Sequence, residues 1–169
     1  MLSASPTLLD TGAKIIWTEH LTGDFSFARK KSIKCAAWCY EWAGTKSITA
    51  KGLGQDSVFC ETEMNEATHC SLHLTITKNS CVPTVNLLSI APNGRKVYPY
   101  KSGQITIDSS LWTKHILKAD FSFDFYNAEN DKRIFWRGKI FAKIDWGTSA
   151  QHAVCCYAGG TLLQSASNL

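Results

Sequence analysis

The stretch ADFSFDFYNAENDKRIFWRGKIFAKIDW, residues 119–146, has a polar loop between two regularly alternating segments. Apolar side chains recur at every second position on both sides of the loop, at Phe121, Phe123 and Phe125 before it and mainly at Ile134, Trp136, Ile140 and Ile144 after it. A two-residue period places side chains on one face of a β-strand. The stretch therefore predicts a β-hairpin with its loop at residues 127–132.

The register of this hairpin follows from its aromatic residues. Pairing Phe125 with Ile134 would place Phe123 opposite Trp136, and cross-strand aromatic pairs of this kind stabilise a sheet. The same register puts Gly138 opposite Phe121, where a glycine indicates either a bulge or a space for the ring. We expect the centre of the core to lie here.

Other parts of the chain alternate in the same way. In THCSLHLTITK, residues 68–78, Cys70, Leu72, Leu74 and Ile76 alternate with His69, Ser71, His73 and Thr75. Further short strands are predicted between turn residues such as Gly44, Gly52, Gly54, Pro99 and the sequence Pro92-Asn93-Gly94, at 15–18, 33–42, 47–51, 57–62, 85–90, 104–107 and 154–158.

This pattern predicts an all-β protein. About eight to ten short strands punctuated by turns favour an antiparallel sandwich, jelly-roll-like, with a closed β-barrel as the alternative. A short helix at 109–118 is also predicted, with Ser109 or Ser110 as its N-cap. Neither a repeat nor a linker divides the sequence, so residues 1–169 are expected to form a single β domain.

Composition narrows the class of protein. Charged residues make up only 19% of the chain, and the net charge of +4 comes largely from short clusters at residues 29–34 and 137–143. The N-terminus shows no signal-peptide pattern, and no apolar run approaches the roughly 18 to 20 residues that span a bilayer. The odd number of cysteines, seven, favours reduced thiols. We expect a cytoplasmic or virion location and no membrane partner.

The segment RKKSIKCAAWCYEW, residues 29–42, is a candidate nucleic-acid contact. Basic side chains follow phosphates and aromatic rings stack on bases, and this segment interleaves the two. The candidate residues are Arg29, Lys30, Lys31, Lys34, Trp38 and Tyr40. On a strand, Lys34, Trp38 and Tyr40 share a face, and Arg137, Lys139 and Lys143 share a face of the hairpin. The alternative is a solvated basic loop beside core aromatics.

No metal or catalytic site is predicted. Cys35 and Cys39 would be neighbours on a helix but lie about 13 Å apart on a strand, which the surrounding residue types favour. His69 and His73, on the solvent side of their strand, are also too far apart to share an ion. Cys155 and Cys156 lack a nearby acid to complete a nucleophile and base. Phosphate-loop motifs are missing, so neither a cofactor nor an enzymatic activity is expected.

The segment HCSLHLTITKNSCVPTVNLLSIAPNG, residues 69–94, resembles the middle of coat proteins of small icosahedral plant viruses of the tymovirus kind. An alternating strand leads through a Pro-Thr-Val turn, residues 83–85, to a second strand that ends in Pro92-Asn93. The sequence GTLL, residues 160–163, is similar to the end of the last strand in such proteins. This resemblance implies a jelly roll of two four-stranded sheets, many copies closing a shell, and RNA inside.

We therefore expect a non-enzymatic, self-associating structural subunit, most specifically a viral coat protein that encloses RNA. Its partners would be other copies of the chain and RNA. One alternative is a lectin-like or protein-binding sandwich, suggested by exposed aromatics such as Trp42 and Trp146 beside glycine turns. A second is a lipocalin-like barrel for an apolar ligand, because alternation does not distinguish a barrel from a sandwich.

Overall fold

The architecture comes from a computed structural model that describes residues 12–26, 35–39, 44–64, 69–88, 95–129 and 131–147. These residues form ten β-strands and a four-residue helix. The elements are β1 Lys14–Thr18, β2 Cys35–Cys39, β3 Gly44–Thr45, β4 Ile48–Leu53, β5 Ser57–Thr62, β6 Cys70–Ile76, β7 Cys81–Leu88, β8 Arg95–Asp108, α1 Ser109–Trp112, β9 Ile116–Phe125 and β10 Ile134–Lys143.

The strands form one continuous sheet. From β4 to β10 each strand pairs with the next along the chain in antiparallel orientation, and β2 and β3 follow β10 at one edge. Only β1 departs from this order, since it runs parallel to β8. The sheet curls into a half-barrel. The predicted all-β class and antiparallel pairing are confirmed, whereas a sandwich of two separate sheets is not.

The predicted hairpin is confirmed residue by residue. β9 and β10 pair Phe125 with Ile134, Phe123 with Trp136 and Phe121 with Gly138. Phe123 and Trp136 are fully buried, and the rings of Phe121 and Phe123 stack with centroids 5.3 Å apart. The ladder runs through Gly138 without a register shift, so of the two roles predicted for it a bulge is excluded.

Strand β8 bends and serves both halves of the sheet. Its first part, Arg95–Pro99, pairs with β7, and its second part pairs with β9 after a register shift between Tyr100 and Ser102. Gly103 follows the shift with φ at 123°, and a Cβ atom there would lie 2.1 Å from the carbonyl oxygen of Ser122. Only glycine fits this backbone crossing. β1 pairs with the second part of β8, from Gln104 to Asp108, beyond the end of the β7–β8 ladder.

Two prolines predicted as turn residues lie inside strands. Pro83 belongs to β7 and Pro99 to β8, so the predicted Pro-Thr-Val turn at 83–85 is wrong. The ladder between β7 and β8 runs from the pair Thr84–Pro99 to Leu88. Pro83 therefore lies just outside that ladder, although it pairs with Leu74 within the β6–β7 ladder, and Pro99 lies at the end of the β7–β8 ladder. The carbonyl of Pro99 accepts a hydrogen bond from the Tyr126 amide at 2.9 Å.

The helix is shorter than predicted and has a different cap. α1 ends at Trp112, and β9 begins at Ile116, because the apolar alternation of β9 extends back to Leu117. The N-cap is Asp108, whose carboxylate accepts from the Leu111 amide at 3.0 Å, rather than Ser109 or Ser110.

The chain after β10 closes part of the opening of the half-barrel. The Gly52 amide donates to the Asp145 carbonyl at 2.7 Å, and the Asp145 amide donates to the Ala50 carbonyl at 2.8 Å. Trp146 then packs on Gly52, where a Cβ atom would lie 2.0 Å from the indole ring. Trp146 is therefore half-buried, and the prediction of an exposed recognition aromatic at this position is wrong.

Several predictions fall on residues that the structure does not describe. These are Trp42, the cysteines at 155 and 156, the strand at 154–158, the end of the second strand at Pro92-Asn93, and the GTLL sequence. The predicted strand at 33–42 is confirmed for Cys35–Cys39, which excludes the helical arrangement that would bring these two cysteines together.

Replacing Gly103 with Ala tests the bend in β8. Positive φ and the collision with Ser122 together should lower the free energy of unfolding by about 3 kcal/mol or more. Gly54→Ala is the matched control, because Gly54 has φ at 71° and nothing within 4 Å of a Cβ atom, so only strain of about 1 kcal/mol applies. Urea denaturation followed by circular dichroism measures both. Equal losses in the two variants would contradict the crossing geometry.

Candidate nucleic-acid interface

The outer face of β10 carries alternating basic and aromatic side chains. Ile134, Trp136, Ile140 and Ala142 point into the core, so the intervening residues lie outside. We call the outer row, which begins one residue before β10, the basic stripe: Arg133, Phe135, Arg137, Lys139, Phe141 and Lys143. Arg137, Lys139 and Lys143 share a face as predicted. Strands β9 and β2 flank the stripe on its two sides.

One half of the basic stripe is an exposed stack of cations about an aromatic ring. The guanidinium carbons of Arg133 and Arg137 lie 5.4 and 5.1 Å from the ring centroid of Phe135. Both arginines are exposed, and Phe135 is half-buried. Across the sheet, Arg137 lies opposite Ser122 rather than a carboxylate. This half presents positive charge and part of an aromatic ring to solvent.

Asp124 holds Arg133 in this stack. Its two carboxylate oxygens accept from Nε of Arg133 at 2.5 Å and from Nη2 at 3.0 Å. These hydrogen bonds, with the attraction of the charges, raise the pKa of Arg133 above its ordinary value. A bidentate pair fixes the plane of a guanidinium and leaves its remaining N–H groups available.

The middle of the basic stripe is covered by residues 21–26. Phe25 is 4% exposed, and its ring centroid lies 5.0 Å from Nζ of Lys139 and 4.9 Å from Nζ of Lys118. Lys139 also pairs with Asp120 on β9. Nζ of Lys118 donates to the Leu21 carbonyl at 2.5 Å. The continuous section of the stripe open to a ligand is therefore Arg133 to Arg137, and Lys143 is exposed at the far end.

Asp108 anchors this covering segment as well as α1. One carboxylate oxygen accepts from the amide of Leu21 at 3.0 Å, and the other from the amide of Leu111 and the hydroxyl of Ser110. Burial by itself would raise the pKa of Asp108. These hydrogen bonds, together with the charge of Lys118 at 3.8 Å, outweigh burial and hold the pKa below the ordinary value of 3.8.

A charged pocket lies at the Arg133 end of the stripe. Its volume is about 470 Å³, and it lies between the β8 bulge, the end of β9 and the hairpin loop. The lining residues are Lys101, Ser102, Asp124, Phe125, Asn127, Asp131, Lys132 and Arg133. Beside it, Tyr126 is 49% exposed, with Nζ of Lys101 5.9 Å from its ring centroid. We call this cavity the charged pocket.

The residues predicted in segment 29–42 are placed only in part. Arg29, Lys30, Lys31, Lys34 and Tyr40 lie outside the described residues. The backbone of Trp38 is described, and in the register of β2 it is the partner of Arg137. Of the candidate segment, Cys35–Cys39 therefore runs beside β10 from Ile140 to Trp136.

Sequence reasoning missed Arg133, Phe135, Lys101 and Tyr126. For Arg133 and Phe135 a signal was present, since both continue the outer alternation of Arg137 and Lys139. No sequence pattern could have shown that Lys101 reaches the hairpin loop, because its position depends on the bulge in β8.

A second polar cluster surrounds His73 on the outer face of β5, β6 and β7. Nε2 of His73 lies 2.9 Å from Glu61 Oε1 and 3.2 Å from the Ser71 hydroxyl, while Nδ1 lies 2.8 Å from the Asn86 amide nitrogen. His69 is exposed as predicted, but His73 is half-buried. In a hydrolase triad the serine and the acid contact opposite ring nitrogens. Here they share one, and Ser71 is buried, so the geometry is that of a structural network.

Three cysteines of β5, β6 and β7 are buried small side chains. Cys60, Cys70 and Cys81 all face the core. Burial raises the pKa of the Cys81 thiol to about 12, which makes it a poor nucleophile at neutral pH. Within the described ranges, no three metal-binding side chains of the His, Cys, Asp and Glu types lie together, and no helix is long and apolar enough to cross a membrane.

We compared the chain with known protein families, proteins and structures, and the site is interpreted from its own geometry. No protein-family model, curated protein or solved structure matches the chain.

The anchor at Asp108 predicts a pH dependence. A carboxyl group whose pKa is lower in the folded state stabilises the fold above its unfolded pKa, and this contribution is lost as the pH falls through the folded pKa. Asp108→Asn should therefore be less stable than the unmodified protein at pH 7, and the difference should shrink below about pH 4. Urea denaturation at a series of pH values measures it. A difference that stays constant down to pH 2 would contradict the ionised anchor.

Proposed function

We propose that the protein is a non-enzymatic binding protein that contacts single-stranded RNA through the basic stripe, principally at Arg133, Phe135 and Arg137. The observation that carries the proposal is the exposed stack of two guanidinium groups about one ring. In such a stack the cations neutralise phosphates, and a base stacks on the ring or on the guanidinium plane.

The spacing of the stripe fits an extended strand. Outer residues of a β-strand recur about every 6.8 Å, so a single RNA strand laid along the section from Arg133 to Arg137 meets a cation or a ring at each step. Strand β2, the described part of the predicted segment 29–42, lies beside β10 with Trp38 in register with Arg137. The basic residues before β2 would extend the charge available to phosphates.

Binding of a fluorescent, hydroxyl-ended RNA ten-mer, measured by anisotropy over a range of salt concentrations, tests this proposal. Removing one phosphate contact should lower the slope of log affinity against log salt by about 0.7. We expect this for Arg137→Ala, whereas Phe135→Ala should weaken binding by about 1 kcal/mol and leave the slope unchanged. Lys78→Ala, in the turn between β6 and β7, is the control and should have no effect.

The predicted segment is tested in the same assay with Lys30→Ala and Lys31→Ala. A loss of affinity comparable to that of Arg137→Ala would indicate that both surfaces contact the strand. Salt-independent binding, or an effect of Lys78→Ala equal to that of Arg137→Ala, would refute the proposed interface.

We further propose that the chain is a self-associating subunit of the coat-protein kind, which would bind RNA in an assembly. Its support is the part of the resemblance that the described residues retain, the alternating strand Cys70–Ile76 followed by a second strand Cys81–Leu88, and the exposure of large apolar side chains. Leu53, Val97 and Tyr126 are 50%, 57% and 49% exposed, in a chain with few charged residues. Such side chains favour contact with further copies. The jelly-roll form of this proposal requires a second sheet, which the described strands do not form.

Native mass spectrometry with electron microscopy tests self-association. We expect masses that are multiples of 18.7 kDa and closed particles when RNA is present. Val97→Asp should reduce assembly, because burying a carboxylate between copies is costly. A monomer at all concentrations, pH values and salt concentrations would rule the proposal out.

A further inference from the structure

The charged pocket has features that the basic stripe does not share. It is concave, and its lining combines Lys101 and Ser102 of the β8 bulge with Asp131, Lys132 and Arg133. Its volume of about 470 Å³ lies within the range of small-ligand sites. Because Arg133 belongs to both surfaces, a strand lying on the stripe reaches the pocket at its end.

The polar groups of the lining divide into occupied and available ones. The oxygen and the nitrogen of the Asn127 side-chain amide are both used within the hairpin loop. Oδ1 accepts a hydrogen bond from the Glu129 backbone amide, and Nδ2 donates one to the Lys132 carbonyl. Asp124 is committed to Arg133, which uses two of its five N–H groups there. The groups available to a ligand include the ammonium of Lys101 and the hydroxyl of Ser102, two exposed residues of the β8 bulge.

The charge of the lining is positive. Lys101, Lys132 and Arg133 outnumber the carboxylates of Asp124 and Asp131. A phosphate monoester carries about −1.5 to −2 at pH 7, whereas a diester within a strand carries a single negative charge. A terminal phosphate therefore gains more from these cations than an internal one. Mostly charged and polar, the lining offers little to an apolar ligand.

Tyr126 supplies a place for the adjoining base. Its ring is exposed beside the pocket, and the ammonium of Lys101 lies 5.9 Å from the ring centroid. A base on this ring would bring its own phosphate near Lys101.

We propose that the charged pocket binds the terminal phosphate monoester of an RNA strand, with the terminal base on Tyr126 and the following nucleotides on the basic stripe. This inference rests on the proposed RNA binding. It adds that the protein distinguishes a phosphorylated end from a hydroxyl end.

The experiment compares three RNA ten-mers of one sequence that carry a 5′-phosphate, a 3′-phosphate or hydroxyl groups at both ends. One phosphorylated form should bind about tenfold more tightly than the hydroxyl-ended form, as expected for added charge-assisted hydrogen bonds. Adenosine monophosphate should displace that form from the pocket at lower concentration than adenosine or inorganic phosphate, because only the nucleotide supplies both a ring and a dianion.

Variants separate the pocket from the stripe. Lys101→Ala and Lys132→Ala should remove the preference for the phosphorylated end and change binding of the hydroxyl-ended strand less than twofold. Arg137→Ala should weaken all three strands equally and leave the preference intact. Lys78→Ala should change neither. All four substitutions replace surface side chains, and circular dichroism confirms folding.

The outcomes distinguish this inference from the proposed function. Equal affinities for all three strands would overturn the end recognition while leaving RNA binding on the stripe in place. A preference that survives Lys101→Ala and Lys132→Ala together would also overturn it. Binding of adenosine monophosphate in the pocket, without binding of any ten-mer, would refute both the interface on the stripe and the recognition of an RNA end.

Discussion

The crossing of Gly103 over Ser122 is the contact on which both halves of the sheet depend. The backbone of β8 passes so close to β9 that a Cβ atom would lie 2.1 Å from the Ser122 carbonyl oxygen. Because β8 turns here, its first part pairs with β7 and its second with β9, and one strand joins the two halves into a single curled sheet. Bent or bulged strands of this kind also make the corners where orthogonally packed sheets meet.

The same bend shapes the candidate site. The register shift between Tyr100 and Ser102 inserts Lys101 as an extra residue in β8, and it reaches the pocket beside the hairpin loop. The pairing of Phe123 with Trp136 fills the core behind β10 and keeps the alternate residues of the basic stripe outside. The alternation of apolar and basic residues along β10 therefore determines both the packing of the core and the charge of the outer face.

The sequence was most informative where alternation and aromatic size acted together. The register of β9 and β10 was predicted correctly, since only one pairing aligns Phe123 with Trp136. The sequence did not show that Pro83 and Pro99 lie in strands, because a proline accepted within a sheet has the same local signal as one in a turn. It also missed the covering of Lys139 by Phe25 and the network of His73, both of which depend on contacts between distant segments.

Ultraviolet cross-linking of bound RNA, followed by mass spectrometry of the digested protein, tests the central claim most directly. Cross-linked nucleotides should map to the aromatic residues of the interface, Phe135 and Tyr126, and should disappear at high salt. Cross-links confined to β5, β6 and β7, or an absence of cross-links with RNA in excess at low salt, would contradict the account.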